Sequence, residues 1–126
     1  MTTNRARLWL TLGAIGGFLG VCLGSFGAHG LRERVSPDLL AIYRTGVEYQ
    51  FYHAFALLIV GLCAMQRPRR AFDIAGACFT TGILLFSGSL YAFVLSGVRA
   101  LGAIPPIGGL LFLIGWASLA VGVSRD

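Results

Sequence analysis

Charged residues punctuate the chain so that four long uncharged runs remain, at residues 8–28, 49–65 (with His53 neutral), 74–98 and 100–123. Each run meets the requirement of about 17–25 apolar residues for crossing ~30 Å of hydrocarbon. The second is the shortest, about 26 Å as a helix. Pro105 and Pro106 suit a helix start, which places the beginning of the fourth span at Pro106 and gives spans of about 8–28, 49–65, 74–98 and 106–123. No run alternates with period two, as a strand would. Lipid offers no hydrogen bonds to a backbone, so the runs are predicted to be helices.

Residues 31–48 carry a further pattern. Ser36-Pro37-Asp38 reads as an N-cap, a first-turn proline and an acidic first turn. Leu39, Ile42, Tyr43, Gly46 and Val47 then recur on one helical face, with Asp38, Ala41, Arg44, Thr45 and Glu48 on the other. This predicts an interfacial helix over 37–48, lying at the membrane surface or running straight into the second span. Arg44 and Glu48 are placed to pair along it. The expected fold is all-α, an integral membrane four-helix bundle in a single domain, 1–126, with this short helix between the first two spans.

Composition supports the same class. Hydrophobic residues make up 56% and charged residues 12%, against about 25% charged in ordinary globular chains. So few ionic side chains cannot cover the surface of a soluble domain this small. The net charge is +5 and every basic residue is Arg. These arginines sit in short gaps between apolar runs rather than on one polar face, which fits headgroup contact and excludes nucleic acid as a partner. Cys22, Cys63 and Cys78 lie in apolar runs without metal-ligand spacing and read as small buried hydrophobes. The first run is too long for a signal-peptide core and is expected to stay uncleaved. Arg5, Arg7, Arg67, Arg69, Arg70 and Arg125 fall on one side of the membrane, and Arg32, Arg34, Arg44 and Arg99 on the other. That excess predicts both termini in the cytoplasm.

Small residues mark where helices approach one another in lipid. Gly13/Gly17, Gly16/Gly20 and Gly20/Gly24 form three overlapping GxxxG pairs in the first span. They suit packing within the chain or a seam between copies. Gly108, Gly115 and Gly122 recur at heptad spacing in the fourth span. Ser87 and Ser89 need hydrogen-bond partners, commonly a carbonyl one turn back on their own helix.

The polar residues nearest the hydrophobic runs are the candidate site. Glu48 and His53 are expected where the chain enters lipid, among Tyr43, Tyr49 and Tyr52. His29 ends the first span on the same side, and Tyr91 lies near that end of the third. With Ser87 and Ser89 they define a candidate polar cluster in the outer leaflet: His29, Glu48, Tyr49, Tyr52, His53, Ser87, Ser89 and Tyr91. Three readings stand side by side. The groups fix the bundle by bonding one another and headgroups; or they hold a polar ligand or relay protons; or His29 and His53 ligate a haem or metal between two helices. No haem-attachment motif or carboxylate triad accompanies the histidines, so no metal site or cofactor is expected.

Four stretches carry a resemblance: Gly24-Ser-Phe-Gly-Ala-His-Gly-Leu31, Glu48-Tyr-Gln-Phe-Tyr-His-Ala54, Leu85-Phe-Ser-Gly-Ser-Leu-Tyr91, and Pro106-Ile-Gly-Gly109 running on to Gly115-Trp116. In order and separation they resemble the YgdD/YwdK-like family of small four-span membrane proteins, domain of unknown function 423, with transmembrane protein 256 as the animal relative. The resemblance implies a multi-pass protein of the bacterial inner membrane and brings no activity with it. Where members carry Thr before the Pro-x-Gly-Gly stretch this chain has Pro105, which removes a capping hydroxyl from the fourth span.

The functional expectation is a non-enzymatic membrane component working through helix contacts, as a homo-oligomer or with another membrane protein, in addition to the bilayer itself. There is no carboxylate pair, no nucleophile with a base at known spacing and no phosphate loop. The alternative is a small transporter, or a binder of a lipid-like or quinone-like ligand, using the polar cluster.

Overall fold

The computed structural model describes residues 2–125. Helix α1 (Thr2–Phe26) runs on into a π-helical turn (Gly27–Leu31), and α2 (Pro37–Gln66) follows. Then come α3 (Arg70–Ser96), a 3-10 turn (Arg99–Ala103) and α4 (Pro105–Ser124). No strand occurs among the described residues. Four helical segments, of 28, 30, 27 and 26 residues, are long and apolar enough to cross a membrane. The all-α four-helix membrane fold is as expected.

The helix ends follow from local chemistry. The Ser36 hydroxyl accepts the Leu39 N–H at 3.2 Å, with Pro37 in the first turn of α2. Gly97, at φ 74°, ends α3 in the left-handed conformation and donates its N–H to Phe93 O at 2.8 Å. Residues 37–48 are not a separate interfacial helix. They are the first turns of an unbroken α2, whose 30 residues run about 45 Å, well beyond ~30 Å of hydrocarbon. Their apolar face is covered by protein: Leu40 and Tyr43 pack with Leu31 and Val94 in a core cluster at that end.

The helices pack in sequence, α1 on α2, α2 on α3 and α3 on α4, while α1 and α4 do not meet. Apolar surface alone gives helices in lipid no reason to associate, so close fit must hold them. Here the fit is ring against glycine. A Cβ added at Gly115 or Gly122 of α4 would come within 2.6 Å of the Phe79 or Phe72 ring of α3, and one at Gly82 of α3 within 2.6 Å of the Phe112 ring of α4, while at Gly108 it would meet the backbone N of Phe86 at 2.6 Å, a direct approach of the two backbones. These pairs share one antiparallel heptad register. Gly46 receives Tyr91, Gly27 receives Tyr43, and Gly76 receives Trp9 in the same way.

The GxxxG stripe of α1 is used within the chain. Gly13 and Gly16 lie against Ala54, Gly20 against the Phe51 ring, and Gly24 against Val47. Gly17 faces open space. Cys22 is exposed and Cys63 and Cys78 are half-buried, so none is the fully buried filler expected.

Candidate functional site

The expected polar residues do not gather in one cluster. They separate into two internal groups facing opposite sides of the α2–α3 pair, and two outlying residues. His29 is exposed in the π-helical turn and Glu48 is exposed on α2. Arg44 and Glu48 do not pair: among the described residues the only ion pair joins Arg5 to Asp73.

The first group is centred on Gln50, which is 4% exposed. Its amide N–H donates to Gly16 O of α1 at 2.8 Å, and its carbonyl accepts the Tyr91 hydroxyl of α3 at 2.7 Å. One side chain of α2 thereby ties three helices together. Just above, the fully buried Ser87 hydroxyl donates across the interface to Gly46 O at 2.6 Å, and Tyr43 donates to Leu23 O of α1. Ser89 behaves as its helical setting predicts, bonding Leu85 O and Phe86 O of its own helix. Ser87 does not, because Gly46 brings a second backbone within its reach.

Gln50, Ser87 and Tyr91 form the floor of a groove. Trp9 seats on Gly76 and donates its indole N–H to Asp73 Oδ1 at 3.1 Å, joining α1 to α3 near the end where the chain termini lie. Beyond Trp9, a recess of about 250 Å³ opens between α1 and α3. Its walls are aliphatic, with Leu12, Ile15 and Leu19 on one side and Ile83 and Leu84 on the other; Gln50, Ser87 and Tyr91 lie at the base.

The second group is centred on His53, 4% exposed. Nδ1 lies 2.7 Å from Tyr49 O, which can only accept, and Nε2 lies 3.0 Å from the indole Nε1 of Trp116, which can only donate. Together they select the neutral Nδ1–H tautomer. The ring stacks on Phe112 at 3.5 Å between centroids and an interplanar angle of 5°, with Phe79 at 5.5 Å. Tyr49, Tyr52, Gly109 and Leu113 extend this group into a second recess of about 360 Å³ beside α4.

His53 is turned into the bundle rather than outward among the other aromatic residues of its helix, at 4% exposure. Its neighbours Phe79, Phe112 and Trp116 lie about 12–18 Å along α3 and α4 from the terminal end of the bundle. Lipid tolerates the imidazole there because both ring nitrogens are bonded inside the protein. Both nitrogens being taken, the ring offers no lone pair to a haem or metal, and His29 is not brought near it. Among the described residues no three His, Cys, Asp or Glu side chains are grouped to hold a metal.

The spacing of residues alone did not reveal Gln50 as the bridge, nor Trp9–Asp73 or Trp116–His53 as pairs. Asp73 offered a signal: it is the one acid beside the arginine-rich 67–70 link. The stretches carrying the resemblance meet one another here, through Tyr91–Gln50 and Trp116–His53.

The sequence profile of the family described as "Protein of unknown function (DUF423)" matches residues 23–109. The chain belongs to that family. The DUF423 protein is 46% identical over 114 residues to the UPF0382 membrane protein of Haemophilus influenzae, covering 90% of this chain and 91% of that one. It is 40% identical over 116 residues to the UPF0382 membrane protein YwdK of Bacillus subtilis, covering 91% and 94%. With the UPF0382 inner membrane protein YgdD of Escherichia coli it shares 38% over 120 residues, 95% of this chain and 92% of the relative. No solved structure matches the DUF423 chain. It is a multi-pass membrane protein.

Proposed function

We propose that this DUF423 protein is a non-enzymatic membrane component that holds the hydrocarbon of a lipid-like molecule in the α1/α3 groove. The carrying observation is the groove itself: aliphatic walls open to the side, over a base formed by Gln50, Ser87 and Tyr91. In a bilayer such a recess fills with hydrocarbon, because water there would lack partners. The second amide N–H of Gln50 and the lone pairs of Tyr91 leave capacity for one polar atom of the guest. A non-enzymatic role is favoured because the polar side chains inside the bundle are engaged: His53 at both nitrogens, Ser87 and Ser89 on carbonyls, Asp73 on Trp9 and Arg5. Self-association through the α1 glycines loses its motive, since α2 already covers Gly13, Gly16, Gly20 and Gly24.

Gly88 provides the test. It lines the groove, and a Cβ added there meets nothing within 4 Å. Gly88→Phe should fill the groove while leaving the fold intact. Native mass spectrometry from nanodiscs made with cell lipid should find an amphiphile on the parent protein that is lost in Gly88→Phe. Equal retention by both would overturn the reading.

The arginine excess at the terminal end supports cytoplasmic termini. A periplasm-active reporter fused to the C-terminus should be silent, and activity would reverse the assignment.

A further inference from the structure

We infer a separate binding site for the phosphate of an anionic phospholipid headgroup at the terminal end of the bundle, held by Arg5, Arg69 and Arg70. A cavity of about 450 Å³ lies there, lined by these three arginines, Pro68 and Asp73. Asp73 does not repel an anion as a free carboxylate would, because its oxygens accept from Arg5 Nη1 at 3.2 Å and Trp9 Nε1 at 3.1 Å. Three guanidiniums against one engaged carboxylate leave two positive charges in surplus. Among the described residues neither Arg69 nor Arg70 has an ion-pair partner. Guanidiniums present paired N–H donors that match phosphate oxygens.

Position chooses the lipid over other anions. The apolar stretch of α3 begins directly behind Arg70 and Asp73, and that of α1 behind Arg5 and Arg7. The cavity therefore sits at the level where α1 and α3 enter hydrocarbon, which is the level of headgroup phosphates. The surplus of two charges prefers a headgroup with net negative charge to a zwitterionic one. Trp9, seated on Gly76, separates this cavity from the α1/α3 groove, so the site stands or falls independently of the groove.

The test uses the full chain in detergent with equal amounts of phosphatidylglycerol and phosphatidylcholine of matched acyl chains, read by native mass spectrometry. The parent should retain phosphatidylglycerol about tenfold over phosphatidylcholine. Arg69→Gln with Arg70→Gln should cut that retention roughly thirtyfold, from the usual worth of two basic side chains at an anionic surface. Arg7→Gln with Arg67→Gln removes the same charge from the same end, outside the cavity, and should change retention less than about threefold. Arg69→Lys with Arg70→Lys keeps the charge and should fall between. Equal retention of the two lipids by the parent, or equal loss in both Gln pairs, would overturn the site. Displacement of the lipid by millimolar inorganic phosphate would overturn its assignment to a headgroup.

Discussion

The indole N–H of Trp116 points at Nε2 of His53 across 3.0 Å, joining α4 to α2 inside the bundle. Few other contacts link those two helices, which otherwise communicate through α3. Trp116→Phe keeps an aromatic side chain but leaves Nε2 buried without a donor. The expected cost is about 1–2 kcal/mol, measured by reversible unfolding in mixed micelles. His53→Phe with Trp116→Phe should cost less than the sum of the two single changes, because the double variant leaves neither partner orphaned. Strict additivity would remove the bond from the account.

Glycines that receive a ring should be unforgiving, and glycines in open space should not. Gly115→Ala places a methyl within 2.6 Å of Phe79 and is expected to destabilise by about 1–3 kcal/mol. Gly17→Ala meets nothing and should be neutral, or stabilising by up to ~1 kcal/mol through helix propensity. Similar losses at both positions would mean that propensity rather than ring packing sets the response.

Gln50 is expected to be the most sensitive polar residue of the bundle. Gln50→Leu is close in size but removes bonds to α1 and α3 together and strands the Tyr91 hydroxyl. It should cost about 1–3 kcal/mol, and adding Tyr91→Phe to it should recover part of the loss. Thermal unfolding in detergent, followed by circular dichroism, reads both effects. A Gln50→Leu protein as stable as the parent would show that the bridge contributes nothing net.

Much of the fold was legible because the relevant physics is one-dimensional. The lengths of the uncharged runs, the prolines at 37 and 105–106 and the Ser36 cap place helix starts to within a few residues. The heptad glycines of α4 were visible too, but not what meets them, because the Phe72 and Phe79 rings and the Phe86 backbone lie on another helix. The site was less legible for the same reason. His53 and Glu48 are neighbours in sequence with opposite fates, one turned into the bundle and the other outward, and only the packing of α4 decides it. Ser87 and Ser89 differ likewise, since a glycine on α2 brings a carbonyl to one of them. The 37–48 segment looked interfacial because its polar face is real; its apolar face was already claimed by Leu31 and Val94.

At the terminal end, Asp73 holds two partners of unequal worth. Arg5 is largely exposed, with 66% of its side chain open, so its ion pair is screened and Arg5→Gln should cost less than ~1 kcal/mol. Trp9 is 7% exposed, seated on Gly76, and supplies the better shielded bond. Trp9→Phe removes that N–H from Asp73 and part of the ring that fills the Gly76 recess, so it should cost more, about 2–3 kcal/mol. The two variants should also respond differently to salt. Raising ionic strength should shrink the Arg5→Gln effect, because it already weakens the parent's ion pair, while the Trp9→Phe effect should persist. Unfolding measured at low and high salt separates them. A larger loss from Arg5→Gln than from Trp9→Phe would place the join between α1 and α3 in the ion pair, not in the buried indole.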